Sequence, residues 1–404
     1  MTDAPAPSSS PESPYWVRNL IVCLAGSFTT IVAMTLLVPF LPIYVEDLGV
    51  TDHAAIVQWS GVTFGATFLT AALVAPLWGR LADLYGRKLM LVRASLGMTI
   101  AMSLTGMAHN IWQLLILRLL TGLLGGYASG ANVLVATQTP KARSGWALGM
   151  LSSGVMAGSL LGPLIGGALP NLIGIRQTFW LAGAVIFIAF LATCFLIKEE
   201  RRMGSRAAIK QKVRWSAIPD KRPIVAMLLT GFMFTLATMS IEPIITVYVS
   251  QLVNDQTQVS LMSGVVMSAA AFGAILSASP IGKWADRFGH WNVVVLSLLA
   301  AVVLLIPQAF VTEAWQLVLL RFLMGMALGG LMPCITAVIR HRAPEQMAGT
   351  LLGYSISIQY AGQVIGPLLG GFVGGHLGMR AVFLATSLLL ALAALYAWRT
   401  KNAD

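Results

Sequence analysis

The sequence predicts an all-α membrane protein: twelve transmembrane helices arranged as two six-helix bundles. Three observations predict it. The composition is too apolar for a soluble domain, apolar runs of bilayer length recur along the whole chain, and the two halves repeat each other's landmarks. Of the 404 residues, 57% are hydrophobic and 10% charged, whereas a soluble domain carries roughly a quarter charged residues. A soluble fold with so little charge would expose large apolar patches and aggregate. The three cysteines, Cys23, Cys194 and Cys334, all sit in apolar runs and imply no disulfide framework.

Residues 1–16 open with "MTDAPAPSSSPESPY", which reads as a disordered cytoplasmic tail and lacks the basic-then-apolar order of a signal peptide. Apolar runs near the roughly 20 residues needed to cross a bilayer then fall at 18–45, 55–78, 88–108, 111–136, 145–169, 176–197, 223–250, 259–281, 291–311, 314–339, 349–373 and 379–398. One set of connections holds Arg80, Arg87, Lys88, Lys141, Arg143, Lys283, Arg287, Arg340 and Arg342. The alternate set is poor in Lys and Arg apart from Arg176 and Arg380. Basic loops stay in the cytoplasm, so both termini are expected there. The longest connection, 198–222, is strongly basic and separates a bundle over 17–197 from one over 223–404. The net charge of +11 is thereby accounted for by cytoplasmic loops and a linker resting near anionic headgroups, with no nucleic-acid role.

The halves match at four places, 203 or 204 residues apart. "NIWQLLILRLLTG" at 110 pairs with "EAWQLVLLRFLMG" at 313, and "GSLLGPLIGG" at 158 with "GQVIGPLLGG" at 362. "VPFLPIYV" at 38 pairs with "EPIITVYV" at 242, and "GRLADLYGRK" at 79 with "GKWADRFGH" at 282. Two six-span halves with common landmarks describe a transporter with a central site between bundles.

Four landmarks carry a resemblance: the 79–88 loop, Arg118, the glycines of the fifth span and Glu242, taken up below. The chain resembles the drug/proton antiporters of the major facilitator superfamily, over nearly its whole length. The loop "GRLADLYGRK" is similar to the superfamily's loop between spans two and three, and the resemblance implies a cytoplasmic latch made by Gly79, Asp83, Gly86 and Arg87, with Asp286 and Arg287 in the second copy. It departs from the pattern at Leu84, where arginine is usual. Turn chemistry with positive-inside anchoring explains the same residues. Arg118 lies within the fourth span, on a stripe with Gly122, Gly125, Ser129 and Asn132. The resemblance implies that this arginine assists proton transfer. Gly158, Gly162, Pro163, Gly166 and Gly167 form a smooth face for close helix packing, and the resemblance marks them as an antiporter signature.

Glu242 is the acid deepest in an apolar run. Thr235, Thr238, Glu242 and Thr246 are spaced to share one helix face, so the carboxyl is expected to face the central cavity. There it either carries the coupling proton in exchange for a cationic drug or is a hydrogen-bonded structural glutamate. Met34, Phe64, Phe68, Phe232, Phe234 and Tyr354, with the polar Asn132 and Gln359, are candidate substrate contacts, because methionine and aromatic groups suit varied apolar ligands. No Walker loop and no metal-ligand spacing is present. The expectation is a proton-coupled multidrug efflux antiporter of the bacterial inner membrane. It is expected to be no enzyme, to be driven by the proton gradient without a cofactor, to take amphipathic or cationic drugs, and to be monomeric. A native-metabolite exporter, such as one for a sugar, and an uncoupled facilitator or sensor are the alternatives.

Overall fold

The computed structural model describes residues 14–199, 220–344 and 347–401. Most of the expected tail and of the 198–222 linker lie outside the described residues. Among these residues the chain forms twelve helical rods: α1 Trp16–Asp47, α2 His53–Tyr85, α3 Arg87–Thr105, α4 Ile111–Gln138, α5 Ser144–Ile173, α6 Ile175–Leu196, α7 Arg222–Ser250, α8 Gln256–Phe288, α9 His290–Gln308, α10 Ala314–Arg342, α11 Gly349–Leu377 and α12 Met379–Lys401. Their starts and stops follow local chemistry. Asp52 caps α2 by accepting the Ala55 N–H, and Asn110 caps α4 through Gln113. The turns α2–α3 and α8–α9 pass through Gly86 and Gly289, at φ 97° and 88°, where a side chain would be strained.

Eleven rods are long and apolar enough to cross a membrane. The exception is α3, which corrects the expectation of twelve apolar spans. It carries Arg87, Lys88 and Arg93. Arg93 is accommodated by its neighbours: its guanidinium stacks 3.6 Å from the Trp78 ring centroid and donates to the Gly125 carbonyl at 3.1 Å. That carbonyl sits where α4 breaks at Gly125 and Gly126. The break also interrupts the stripe expected to run from Arg118 to Asn132.

Four rods are broken. In α1 a 3-10 turn covers Val38–Phe40, and in α7 another covers Glu242–Ile244. Pro39 and Pro243 cause these breaks, since each removes a backbone N–H from the helical ladder. The repeated positions in α4 and α10 are interrupted by glycine pairs, Gly125–Gly126 and Gly329–Gly330.

Rods α1–α6 pack among themselves, as do α7–α12, and the halves meet along α2 with α11 and α5 with α8. Glycine sets these seams. A Cβ at Gly158 would stand 3.0 Å from the Phe28 carbonyl oxygen, and one at Gly166 would overlap the Leu36 carbonyl, so α5 lies against the backbone of α1. Gly167 points the other way, where a Cβ would come 2.6 Å from the Ser260 carbonyl of α8. The second copy does the same. Gly366 and Gly370 press on the backbone of α7 at Leu236 and Ser240, and Gly371 presses on α2 at Val57.

Among the described residues, the hydrogen bonds between the halves lie toward one end. Ser260 Oγ donates to the Gly167 carbonyl at 2.9 Å, Asn171 Nδ2 to Thr257 O at 2.7 Å, Ser268 Oγ to Leu160 O at 2.7 Å and Thr246 Oγ1 to Pro39 O at 2.9 Å. At the other end, which bears the basic loops, Gly79, Gly145, Gly149, Gly282, Gly349 and Gly353 face open space. The halves are closed at the loop-acidic end and parted at the basic end.

Gly166→Ala and Gly370→Ala are expected to lower the thermal unfolding midpoint of the purified protein, since overpacking costs roughly 1–3 kcal/mol. Gly149→Ala and Gly353→Ala, made where the space is open, are expected to leave it unchanged or raise it slightly, as alanine is the better helix former. Equal losses at all four sites would show that backbone approach at these seams is not what the glycines provide.

Candidate functional site

The proline breaks of α1 and α7 touch each other where the halves meet, and the α7 break also packs on α2 and α11. Glu242 opens the α7 break and is partly buried there. The break changes the helical phase beyond it. Thr246 is buried with its hydroxyl on Pro39, and Thr235 is buried with its hydroxyl on the Gly231 carbonyl. Glu242 has no counterpart in the first half, where its repeat mate is Val38.

Each half contains one buried arginine in an equivalent frame. In the first half, Tyr44 donates to the Thr105 carbonyl at 2.6 Å and packs on Phe179 with ring centroids 5.3 Å apart. Arg118, 3% exposed, donates through Nη2 to Thr105 Oγ1 at 3.1 Å and lies 3.7 Å from the Met102 sulfur. In the second half, Tyr248 donates to the Gln308 carbonyl at 2.8 Å and packs on Phe383 at 5.0 Å. Arg321 is also 3% exposed, but its Nε and Nη2 have no hydrogen-bond partner among the described residues. The signal for this frame was present in the repeated "PIYV" and "TVYV", which place Tyr44 and Tyr248 in register.

The candidate substrate contacts are distributed. Phe64 packs against the cores of both halves and meets Phe68 edge-on at 5.3 Å. Met34 packs on the first core and Phe234 on the second, and Phe232 is partly buried. Gln359 is partly buried and donates to Ser355 Oγ at 3.1 Å, while Tyr354 and Asn132 are exposed. A separate cavity of about 360 Å³ lies at the closed end of the first half, between Tyr44, Asp47, Leu48, Ile175, Arg176 and Gln177.

The latch candidates lie at the parted end. Asp83 pairs with Arg87 of its own loop at 3.1 Å, and Asp286 pairs with His290 at 3.5 Å. Arg287 and Leu84 are exposed. No local sequence pattern announces the group that fixes this loop. Glu199, just past α6, accepts the backbone N–H of Arg87 and of Lys88, each at 2.8 Å, and so caps α3 with both carboxylate oxygens. Asn19 secures the same segment by donating to the Lys198 carbonyl at 2.8 Å and accepting its N–H at 3.1 Å.

A family model described as Major Facilitator Superfamily matches the chain at residues 23–263 and 227–403. The chain is 43% identical over 396 residues to the multidrug resistance protein MdtG of Salmonella typhimurium, covering 98% of both chains. The MdtG of Salmonella arizonae is equally similar. Among solved structures, a bacterial homolog of the human lysosomal transporter Spinster, inward-facing and unoccupied, superposes with a TM-score of 0.80 at 15% identity, covering 97% of this chain and 98% of that one. The nucleoside transporter NupG superposes with a TM-score of 0.73 at 13% identity, covering 94% and 99%. These two likenesses concern the fold alone.

Glu199→Ala is expected to speed hydrogen exchange at the Arg87 and Lys88 amides and to cost roughly 0.5–2 kcal/mol, as loss of a helix cap does. Asp83→Asn, at an exposed pair, is expected to cost less than about 1 kcal/mol. Unchanged exchange in the Glu199 variant would show that the cap does not persist in solution.

Proposed function

The chain belongs to the major facilitator superfamily, and from that premise we propose that it is a proton-driven exporter of multiple drugs, taking amphipathic or cationic compounds by alternating access. The observation that carries this reading is the end-to-end identity with multidrug resistance proteins. A chain of this family is a carrier, not an enzyme, and its multiple apolar rods make it a multi-pass membrane protein. Twelve spans, with α3 crossing beside its partners, a bacterial inner-membrane location and cytoplasmic termini complete the reading. The monomer is the unit that holds both halves of the site.

Basic loops face the cytoplasm, so the parted end is the inner one and the structure is open inward. Drug enters between the halves and meets the apolar and aromatic side chains around Phe64. Glu242 is the coupling carboxylate: a protonated carboxyl is compatible with an apolar surround, whereas its charged form attracts a cation. Proton and cationic drug therefore compete for one group. Closing the basic end and opening the other exposes that group to the opposite side. The loop residues Gly79, Asp83, Gly86, Arg87, Asp286 and Arg287 would act in that closure. An intramembrane arginine assists the proton, and the family resemblance points to Arg118 for that role.

Efflux measured in energised vesicles tests this. Wild-type transport is expected to collapse when a protonophore is added. Glu242→Gln is expected to bind drug yet lose gradient-driven efflux by roughly tenfold or more. Normal pumping by the Gln variant would make Glu242 structural, and efflux indifferent to the protonophore would make the protein an uncoupled facilitator.

A further inference from the structure

We propose that the basic end of the first half holds a binding site for an anionic phospholipid of the inner leaflet, formed by Arg18, Arg143 and Lys198 around the rings of Tyr15 and Trp16. The inference depends neither on the proton nor on the drug. It uses only the placement of the basic end at the cytoplasmic membrane surface.

The start of α1, the start of α5 and the end of α6 bring these groups together. The Arg18 guanidinium carbon lies 4.8 Å from the Tyr15 ring centroid, and Lys198 Nζ lies 4.7 Å from the same centroid. The Arg143 guanidinium carbon lies 5.8 Å from the ring centroid of Trp16. Two adjacent rings thus gather three cations from three rods. Their backbone is held in place from below. Asn19, 1% exposed, donates to the Lys198 carbonyl at 2.8 Å and accepts the Lys198 N–H at 3.1 Å. The same amide donates to Gln138 at the end of α4. Trp16 packs on the apolar core of this end.

No acid among the described residues neutralises the three charges. A ring holds a cation by its quadrupole and leaves the full charge in place. The ion pairs within 4.0 Å among the described residues are Asp83–Arg87 and Asp286–His290, so Arg18, Arg143 and Lys198 have none. Arg18 also keeps Nε and Nη2 without a hydrogen-bond partner. Glu199, the acid beside Lys198, spends both oxygens on the α3 amides. Arg93 shows the other solution: it too stacks on a ring, but it donates to the Leu123 and Gly125 carbonyls. The repeat supplies a further contrast. Arg222 matches Arg18 at an offset of 204, but Asp220 stands where Trp16 does and Met347 where Arg143 does. The cluster belongs to the first half alone.

The surroundings say which kind of anion fits. Ile21, Trp146 and Phe195 stand three residues deeper along α1, α5 and α6 than Arg18, Arg143 and Lys198, and each is an exposed large apolar side chain. Tyrosine and tryptophan mark the level of the headgroups. The site therefore has a layer of unpaired cations at headgroup depth and a bare apolar layer just below it. A phosphodiester carrying acyl chains matches both layers, whereas free phosphate matches only the first. Basic pockets between spans on the cytoplasmic side take such headgroups.

The test titrates phosphatidylglycerol into the full-length protein held in phosphatidylcholine mixed micelles. Native mass spectrometry counts the bound lipid, and the thermal unfolding midpoint reports its effect. Arg143 and Lys198 are exposed, so Arg143→Gln and Lys198→Gln are expected to leave the midpoint in phosphatidylcholine alone unchanged. Each is expected to weaken phosphatidylglycerol binding roughly fivefold, and the two together roughly thirtyfold. Lys198→Arg keeps the charge and is expected to keep the binding. Lys283→Gln/Arg340→Gln removes two charges from the second half's basic loops and is expected to leave the binding as it was.

Equal losses in the two double variants would reveal diffuse attraction to basic loops in place of a site, and would overturn the proposal. So would a wild-type protein that binds phosphatidylglycerol no better than phosphatidylcholine. Inorganic phosphate separates the headgroup from the lipid. It is expected neither to displace phosphatidylglycerol at millimolar concentration nor to raise the midpoint by itself. If it does both, the site takes free phosphate and the lipid assignment falls. If the double variant Arg143→Gln/Lys198→Gln does not fold, Lys198→Gln against Lys198→Arg decides by the same titration. A protein whose efflux ignores a protonophore but which still prefers phosphatidylglycerol would sink the coupling reading and support this one.

Discussion

Backbone approach through glycine is the constraint on which this architecture depends. At Gly166 and Gly370 a side-chain carbon would occupy the space of a carbonyl from the neighbouring rod. At Gly61, Gly167, Gly264 and Gly371 it would crowd the backbone of the opposite half. Apolar side chains gain little by leaving lipid for one another, so helix association in a bilayer relies on close packing and hydrogen bonds. Small residues make both available along the same seams. At this distance α1 and α5 are packed backbone to backbone, as are α7 and α11. The seams α2–α11 and α5–α8, which join the two halves, are the ones that must open and close.

These joining seams carry side-chain hydrogen bonds to backbone at the closed end, from Ser260, Ser268, Asn171 and Thr246. A transporter that alternates must give these up and recover a comparable amount at the other end, because two states exchange readily only when they differ by a few kcal/mol. The parted end has the parts to do so. Its rods carry glycines in open space on α2, α5, α8 and α11. Its loops keep Asp83 and Asp286 in local, exposed pairs that are worth little where they are. The Glu199 cap holds the start of α3 in shape at this end.

How much of this was legible in the sequence depended on what each signal measures. Hydropathy measures runs, and it located eleven rods within a few residues. It overrated α3, whose arginines are housed by neighbours that no window sees: Trp78 on α2 and the freed carbonyl at Gly125 on α4. The repeat fixed the pairing of the halves and put the glycines of α5 and α11 in equivalent roles. Helical spacing did not announce the break at Glu242, which comes from Pro243 beside it and leaves Thr246 bonded to Pro39 of the other half. Glu199 was hidden because a cap made from a distant segment has no local pattern. Arg321 was visible as the mate of Arg118. What distinguished the two was the change from Thr105 to Gln308, which carries meaning only once both side chains are placed.

The two halves can be read as one design tested twice, and the difference between them is where function enters. Both have a tyrosine on a carbonyl, an aromatic ring behind it, a buried arginine and a broken first rod. A frame that recurs in both halves is explained by packing. What occurs in one half only, an acid at the break, is not required by packing and costs stability. That cost falls at the point where the two breaks touch, inside the closed seam. Opening the seam must change the surroundings of Glu242, while the first half's Val38 is indifferent to water and charge. On the proposed reading, a single acid placed there would let the position of the seam and the occupancy of a proton depend on each other, which is what coupling requires.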